Sequence, residues 1–160
     1  DHGIAPQKQG YEYMIMVSPS QKEQADLLTG DYYNVIRKDA VAHIVYDKKT
    51  SVTGAVFFEA YQPETPETEL LSASKQTFVM YRQDDNRILM SICDPDLNIP
   101  ELTYTTSKES QVKEKEIRLA GKYALLEKNP AVECCPEGEN TLLKVQCKEG
   151  LPIEIRLLKK

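Results

Sequence analysis

With 160 residues, 41% hydrophobic and 28% charged, the chain is long enough for one ordinary domain or two small ones with a real core, and its balance excludes a disordered or fibrous protein. A formal charge of −5 argues against a nucleic-acid binder and disfavours other polyanionic partners, because such contacts need a surplus of Lys and Arg on at least one face. No apolar run approaches the ~20 residues of a membrane span, and Asp1-His2-Gly3-Ile4-Ala5-Pro6 has no basic segment leading into an apolar one, so any targeting signal is expected outside this sequence.

From the N-terminus, Tyr11-Glu12-Tyr13-Met14-Ile15-Met16-Val17 carries large side chains at both parities, the pattern of a strand covered on both faces. Ser20 followed by Glu23, Ala25, Leu27 and Leu28, with Gly30 beyond, predicts one short helix opened by a capping box. Three β-branched and aromatic runs follow, at 32–37, 41–46 and 52–58, and read as a meander. Residues 61–74 change character, with Pro63, Pro66, Glu64, Glu67 and Glu69 in a stretch without period, and mark a boundary. Runs at 77–82 and 87–93 flank Asp84-Asp85-Asn86, a hairpin signal made of residues that tolerate positive φ. Further strands are expected near 111–118, 122–127, 141–147 and 152–158. Lys113-Glu114-Lys115-Glu116 favours helix by propensity, but the turn at Gly121-Lys122 and the strand-like segment after it make it the arm of a hairpin. The sum is an all-β, antiparallel sandwich.

Catalytic chemistry has few carriers. His43 sits between Ala42 and Ile44 and is expected to be a packed histidine bonded to backbone or a neighbour, and His2 lies at a terminus. No nucleophile elbow, phosphate-cradling glycine loop or Cys/His ligand spacing appears. Asp84-Asp85 and Asp94-Pro95-Asp96 are the nearest carboxylate pairs, and both stand in turns, where Asp bonds its own backbone. Asp94, Asp96 and Asn98 vaguely resemble a calcium loop without its central Gly and distal Glu. Among nine tyrosines, Tyr11, Tyr13, Tyr33 and Tyr46 fall in strand-like runs and are expected to pack with their hydroxyls at an edge. Cys93, Cys134, Cys135 and Cys147 permit three disulfide pairings, although free thiols behaving as small hydrophobes are the expected state.

Several segments occur together in a recognisable order: Asp1-His2-Gly3-Ile4-Ala5-Pro6 with Gly10-Tyr11-Glu12-Tyr13, then Val35-Ile36-Arg37-Lys38-Asp39, His43-Ile44-Val45-Tyr46-Asp47-Lys48, Ser51-Val52-Thr53-Gly54-Ala55, Asp94-Pro95-Asp96-Leu97-Asn98 and Gly150-Leu151-Pro152-Ile153-Glu154-Ile155. The chain thereby resembles the C-terminal region of family 8 polysaccharide lyases, in the chondroitin sulfate ABC lyase branch. The resemblance implies residues 1–60 as the end of a large β-supersandwich, 61–74 as a linker and 75–160 as a smaller C-terminal β-sandwich. It implies a bacterial, periplasmic or secreted parent enzyme that cleaves a glycosaminoglycan by β-elimination, with upstream domains of the same polypeptide as partners; no cofactor is assigned to this chain. The family's catalytic Asn, His, Tyr, Arg and Glu lie upstream of these segments, so no catalytic, cofactor-binding or metal-binding residue is assigned to this chain. A non-catalytic carbohydrate-binding or protein-interaction sandwich is the alternative.

Overall fold

The computed structural model describes residues 13, 15–30, 32–99, 102–103, 106–107 and 109–160, and the chain falls into two compact units divided between residues 31 and 32. The first contains α1, Gln21–Thr29. The expected capping box is present: the Glu23 amide donates to Ser20 Oγ at 3.2 Å, and the Ser20 amide donates to Glu23 Oε2 at 2.8 Å, which satisfies two amides the helix itself leaves open. Gly30 closes it with extended backbone, φ −94°, without the left-handed turn that glycine permits. The strand expected at 11–17 is not seen where the chain is described. Tyr13, Ile15 and Val17 are exposed, non-strand residues. Tyr11, Glu12 and Met14 lie outside the described residues.

The second unit is built from β1 (Tyr33–Lys38), β2 (Ala42–Asp47), β3 (Val52–Phe57), β4 (Leu70–Ala73), β5 (Thr77–Gln83), β6 (Arg87–Cys93), β7 (Leu102–Thr103), β8 (Thr106–Ser107), β9 (Lys113–Ala120), β10 (Tyr123–Leu125), β11 (Val132–Glu137), β12 (Asn140–Cys147) and β13 (Ile153–Lys159). A seven-stranded sheet runs in the order β1-β2-β3-β5-β6-β13-β10 and a four-stranded sheet in the order β11-β12-β9-β4, with β7 and β8 a separate pair. The strand pairings are antiparallel, as a sandwich of short alternating strands requires. β3 pairs with β5 from Val52↔Arg82 to Phe57↔Thr77. The chain between them, expected to be a linker, crosses to the other sheet, supplies β4 against β9, and returns.

Period-two alternation decides what is buried. Ala55 and Phe57, Val79 and Tyr81, Ile88 and Met90, and Ile155 and Leu157 point inward from the larger sheet, and meet Ile117, Leu119, Leu143 and Val145 from the smaller one. β9 is therefore a strand, as the turn after it required, and burial of Ile117 and Leu119 overrides its helical propensity. Pro136 lies in β11, a sheet edge, where its missing amide breaks no ladder.

The β5–β6 turn is closed by a side chain and not by positive φ. Asp84 Oδ1 accepts from the amides of Asn86 and Arg87 at 3.1 and 2.8 Å, and none of residues 84–86 has positive φ. Gly121 does require it, with φ +94° and the Tyr123 ring 3.3 Å from where a Cβ would stand. Thr141 Oγ1 fastens the same turn, donating to the Gly121 carbonyl at 2.8 Å and accepting from the Tyr123 amide at 2.9 Å. Gly121→Ala is expected to cost about 1–2 kcal/mol, from left-handed backbone strain. Urea denaturation reads the loss, and an unchanged midpoint would refute the strain argument.

Candidate functional site

Polar or aromatic groups gather at several places among the described residues, of which three bear on function. The first is a polar cavity of about 600 Å³ lined by residues that include Tyr46, Glu67, Glu69, Tyr81, Gln83 and Lys159. Inward-facing Tyr81 donates from Oη to Glu69 Oε2 at 2.9 Å, and burial, reinforced by the Glu69 charge, pushes its phenol up to about 12. At neutral pH only about one such phenol in 10⁵ is ionised, so Tyr81 is not a base. Tyr61 Oη donates to Glu67 Oε2 at 3.2 Å. Arg37 reaches the same oxygen at 3.4 Å, pairs with Asp39 at 2.7 Å and lies 5.4 Å from the Tyr61 ring centroid. The Gln83 Oε1 atom is buried and has no hydrogen-bond partner. Acceptors dominate the cavity, which suits a hydroxyl or an ammonium group and repels a uronate carboxylate, the group whose charge a β-elimination must neutralise.

The second place is the turn after β6. Asp94 is 2% exposed. Its Oδ2 accepts from Lys115 Nζ at 2.7 Å and from Asn98 Nδ2 at 3.0 Å, and its Oδ1 from the Asp96 amide at 3.0 Å. Burial pushes the carboxyl up, but Lys115, the Asp96 amide and Asn98 together outweigh it and hold it below its ordinary value. Both Asp94 oxygens are thus engaged by protein donors, and Asp96 Oδ1 accepts from the Asn98 amide at 2.9 Å, so the loop is bound to itself. Asn98, at φ +52°, takes the left-handed position that its short polar side chain tolerates. The Asp-Pro-Asp segment has the structural turn role expected of it, and joins β6 to β9 through Lys115, which sequence reading did not single out. Beside the pair, Cys147 is buried and its thiol is pushed up to about 11 by burial and by the Asp94 charge. All four cysteines are free thiols, and burial likewise raises Cys93 and Cys134, the character of structural rather than reactive cysteines.

The third place is an apolar cleft of about 560 Å³, lined among others by Phe57, Phe58, Phe78, Pro95 and Leu97. It adjoins His43, whose ring stands edge-on to Phe58 with centroids 5.0 Å apart. His43 is exposed and so departs from the packed histidine expected. Ala42 and Ile44 take the inward positions of β2 and alternation sends His43 outward. His2 and Tyr11 lie outside the described residues. Tyr33 and Tyr46 are half-buried, whereas among the described residues the tyrosines that enter the core are Tyr61, Tyr81 and Tyr123. Alternation within 77–83 marked Tyr81 as inward, while Tyr61 stands in the aperiodic stretch and gave no such signal.

A family model described as polysaccharide lyase family 8, C-terminal beta-sandwich domain, matches residues 34–102. The chain is 29% identical over 98% of its length to chondroitin sulfate ABC endolyase of Proteus vulgaris, and 24% identical over 99% to chondroitin sulfate ABC exolyase of Bacteroides thetaiotaomicron. It spans 15% and 18% of those relatives. Among solved structures, chondroitin AC lyase of Streptomyces coelicolor A3 overlays 89% of this chain and 17% of its own, with a TM-score of 0.66 at 16% identity. Paenibacillus xanthan lyase overlays 89% of this chain and 12% of its own, at 0.67 and 13%. These two likenesses establish a shared fold.

Proposed function

Since the chain belongs to polysaccharide lyase family 8 through that family's C-terminal β-sandwich domain, we propose that it is the non-catalytic C-terminal part of a glycosaminoglycan lyase acting by β-elimination. Its role is to support the sheet that holds one wall of the substrate cleft, and it is inactive alone. The observation that carries this reading is how the titratable groups are spent. Tyr81 is bound to Glu69 with its phenol raised to about 12, Asp94 is locked to Lys115, and His43 stands beside Phe58. Elimination needs a cation to neutralise a uronate and a base beside it, and in the polar cavity Glu67, Glu69, Asp84 and Asp85 outnumber Lys159. Because such polymers are met outside the cytoplasm, the proposal extends to a periplasmic or secreted bacterial location.

The purified 160-residue chain, incubated with chondroitin sulfate, is expected to give no rise in the ultraviolet absorbance of unsaturated uronate products. A rise that Tyr81→Phe abolishes would place catalysis in this chain and overturn the reading.

A further inference from the structure

The two outward faces of the sandwich differ in kind. On the four-stranded sheet many outward side chains are polar and pair with one another: Arg118 Nε binds Glu137 at 2.8 Å, Gln146 Nε2 binds Glu114 at 2.6 Å, and Glu116 stands opposite Lys144 in the ladder. At the centre of the seven-stranded sheet they are mainly apolar, with Arg82 among them and Glu154 and Arg156 beside them on β13. Val35, Phe78, Met80 and Leu89 are 37–58% exposed, and Phe58, 41% exposed, stands at the end of β3. Register puts them in contiguous rows. Val35, Val45, Gly54 and Met80 lie across four neighbouring strands, with His43, Val56 and Phe78 as the next row and Val52, Arg82 and Leu89 as the row on the other side. No atom lies within 4 Å of where a Gly54 Cβ would stand, so the middle of the face is a shallow trough. Phe58 and Phe78 also line the apolar cleft, which prolongs the face past the sheet. Five strands wide and three rows high, the sheet part measures roughly 19 Å by 13 Å from strand geometry.

We propose that this face of the seven-stranded sheet is where the preceding part of the same polypeptide docks. The inference rests on the C-terminal position proposed above, and names the surface through which support is delivered. Its composition, Phe, Met and Arg over an aliphatic floor, is that of protein interfaces. The occupant follows from size. At about 250 Å² per side the sheet part alone, roughly 500 Å² in all, approaches the low end of contacts between domains of one chain, and the adjoining cleft adds to it; it falls well short of the ~1,000 Å² total that a stable pair of free subunits needs. Tethering removes that deficit, because a linked domain binds at high effective concentration. In the family this sandwich is C-terminal, and the chain spans only 15–18% of its relatives, so the docking partner precedes it. The face mixes Arg82 and Arg156 with Glu154 and Asp47, so its charge selects no anionic polysaccharide, and binding of one is an outcome of the test below.

The test is the pair Phe78→Asp with Met80→Asp in the full-length polypeptide, with Lys144→Asp on the opposite face as control. Calorimetry of the parent and of the control is expected to show one cooperative transition. The docking pair is expected to split it in two, the lower one at the melting temperature of the isolated 160-residue chain. A single unshifted transition in the docking pair overturns the assignment. Turnover in the same variant reads the support role separately: two transitions with unchanged turnover would leave the docking face standing and remove the function proposed for it. Melting of the isolated chain carrying the pair is expected within a few degrees of the parent's, since both side chains are exposed. Light scattering that finds a dimer dissolved by the pair would give the face to a second copy, and calorimetric binding of chondroitin sulfate abolished by the pair would give it to the polysaccharide; either overturns the proposal.

Discussion

Lys115→Met is expected to lower the stability of the sandwich by about 3–5 kcal/mol, the usual cost of removing one partner from a buried ion pair, or roughly 10–20 °C in Tm for a domain of this size. The ammonium and the Asp94 carboxylate are 6% and 2% exposed at 2.7 Å, so neither charge has water to fall back on, and deleting one strands the other. The pH dependence carries a distinct signature. Asp94 is held below its ordinary value in the folded chain. Its contribution is therefore complete above the unfolded carboxylate range, near pH 4, and is lost as pH falls through the depressed folded value. Without Lys115 the strongest of the groups holding it down is gone, so the folded carboxyl rises against burial, opposed only by the Asp96 amide and Asn98. The deficit against the parent is therefore expected to narrow as pH falls toward the carboxylate range. Asp94→Leu with Lys115→Met, which removes both charges, is expected to regain most of the loss. Urea titrations of the three proteins at several pH values measure this. A Lys115→Met variant within 1 kcal/mol of the parent at neutral pH would show that the pair does not hold β6 to β9.

That pair marks the limit of what was legible in the sequence. Strands with clean alternation, such as Thr77-Phe78-Val79-Met80-Tyr81 and Arg87-Ile88-Leu89-Met90, declare both type and inward face, because period two and a one-sided core determine each other. The helix at Gln21–Thr29 declares itself through Ser20 and Glu23, a local signal. Lys115 also stands at the inward parity of β9 with Ile117 and Leu119. Nothing local says that an ammonium there is tolerable, since its partner comes from a turn 21 positions earlier. β11 was obscured by Cys134-Cys135-Pro136, where Pro reads as a stop unless the strand is known to be an edge. β4 was hidden by the proline- and glutamate-rich run before it. The apolar outer face is visible in the alternating residues Phe78 and Met80, but an outward apolar residue becomes a surface only when register sets it beside Val45, Val56 and Leu89.

Tyr61→Ala is the second substitution expected to cost about 3–5 kcal/mol, and it decides what residues 61–74 are. A linker reading of that stretch expects no more than about 0.5 kcal/mol, as for other exposed positions. Tyr61 is instead 1% exposed and tilted against Phe57 at 4.8 Å between ring centroids, and exchanges two backbone hydrogen bonds with Ala73 at 2.8 and 2.9 Å. With Leu70 also fully buried, the stretch has two large anchors, one at each end, which carry the chain from the seven-stranded sheet to the four-stranded one and back. Truncation leaves a ring-sized cavity where the sheets meet, which the neighbouring strands are too constrained to fill. Tyr61→Phe separates the hydroxyl from the ring: it keeps the packing, gives up the 3.2 Å bond to Glu67, and is expected to cost about 1 kcal/mol. The ordering of the three proteins in urea is therefore parent, then Phe close behind, then Ala far below. An Ala variant as stable as the Phe variant would mean that the ring bears no load and that the segment between β3 and β5 only connects.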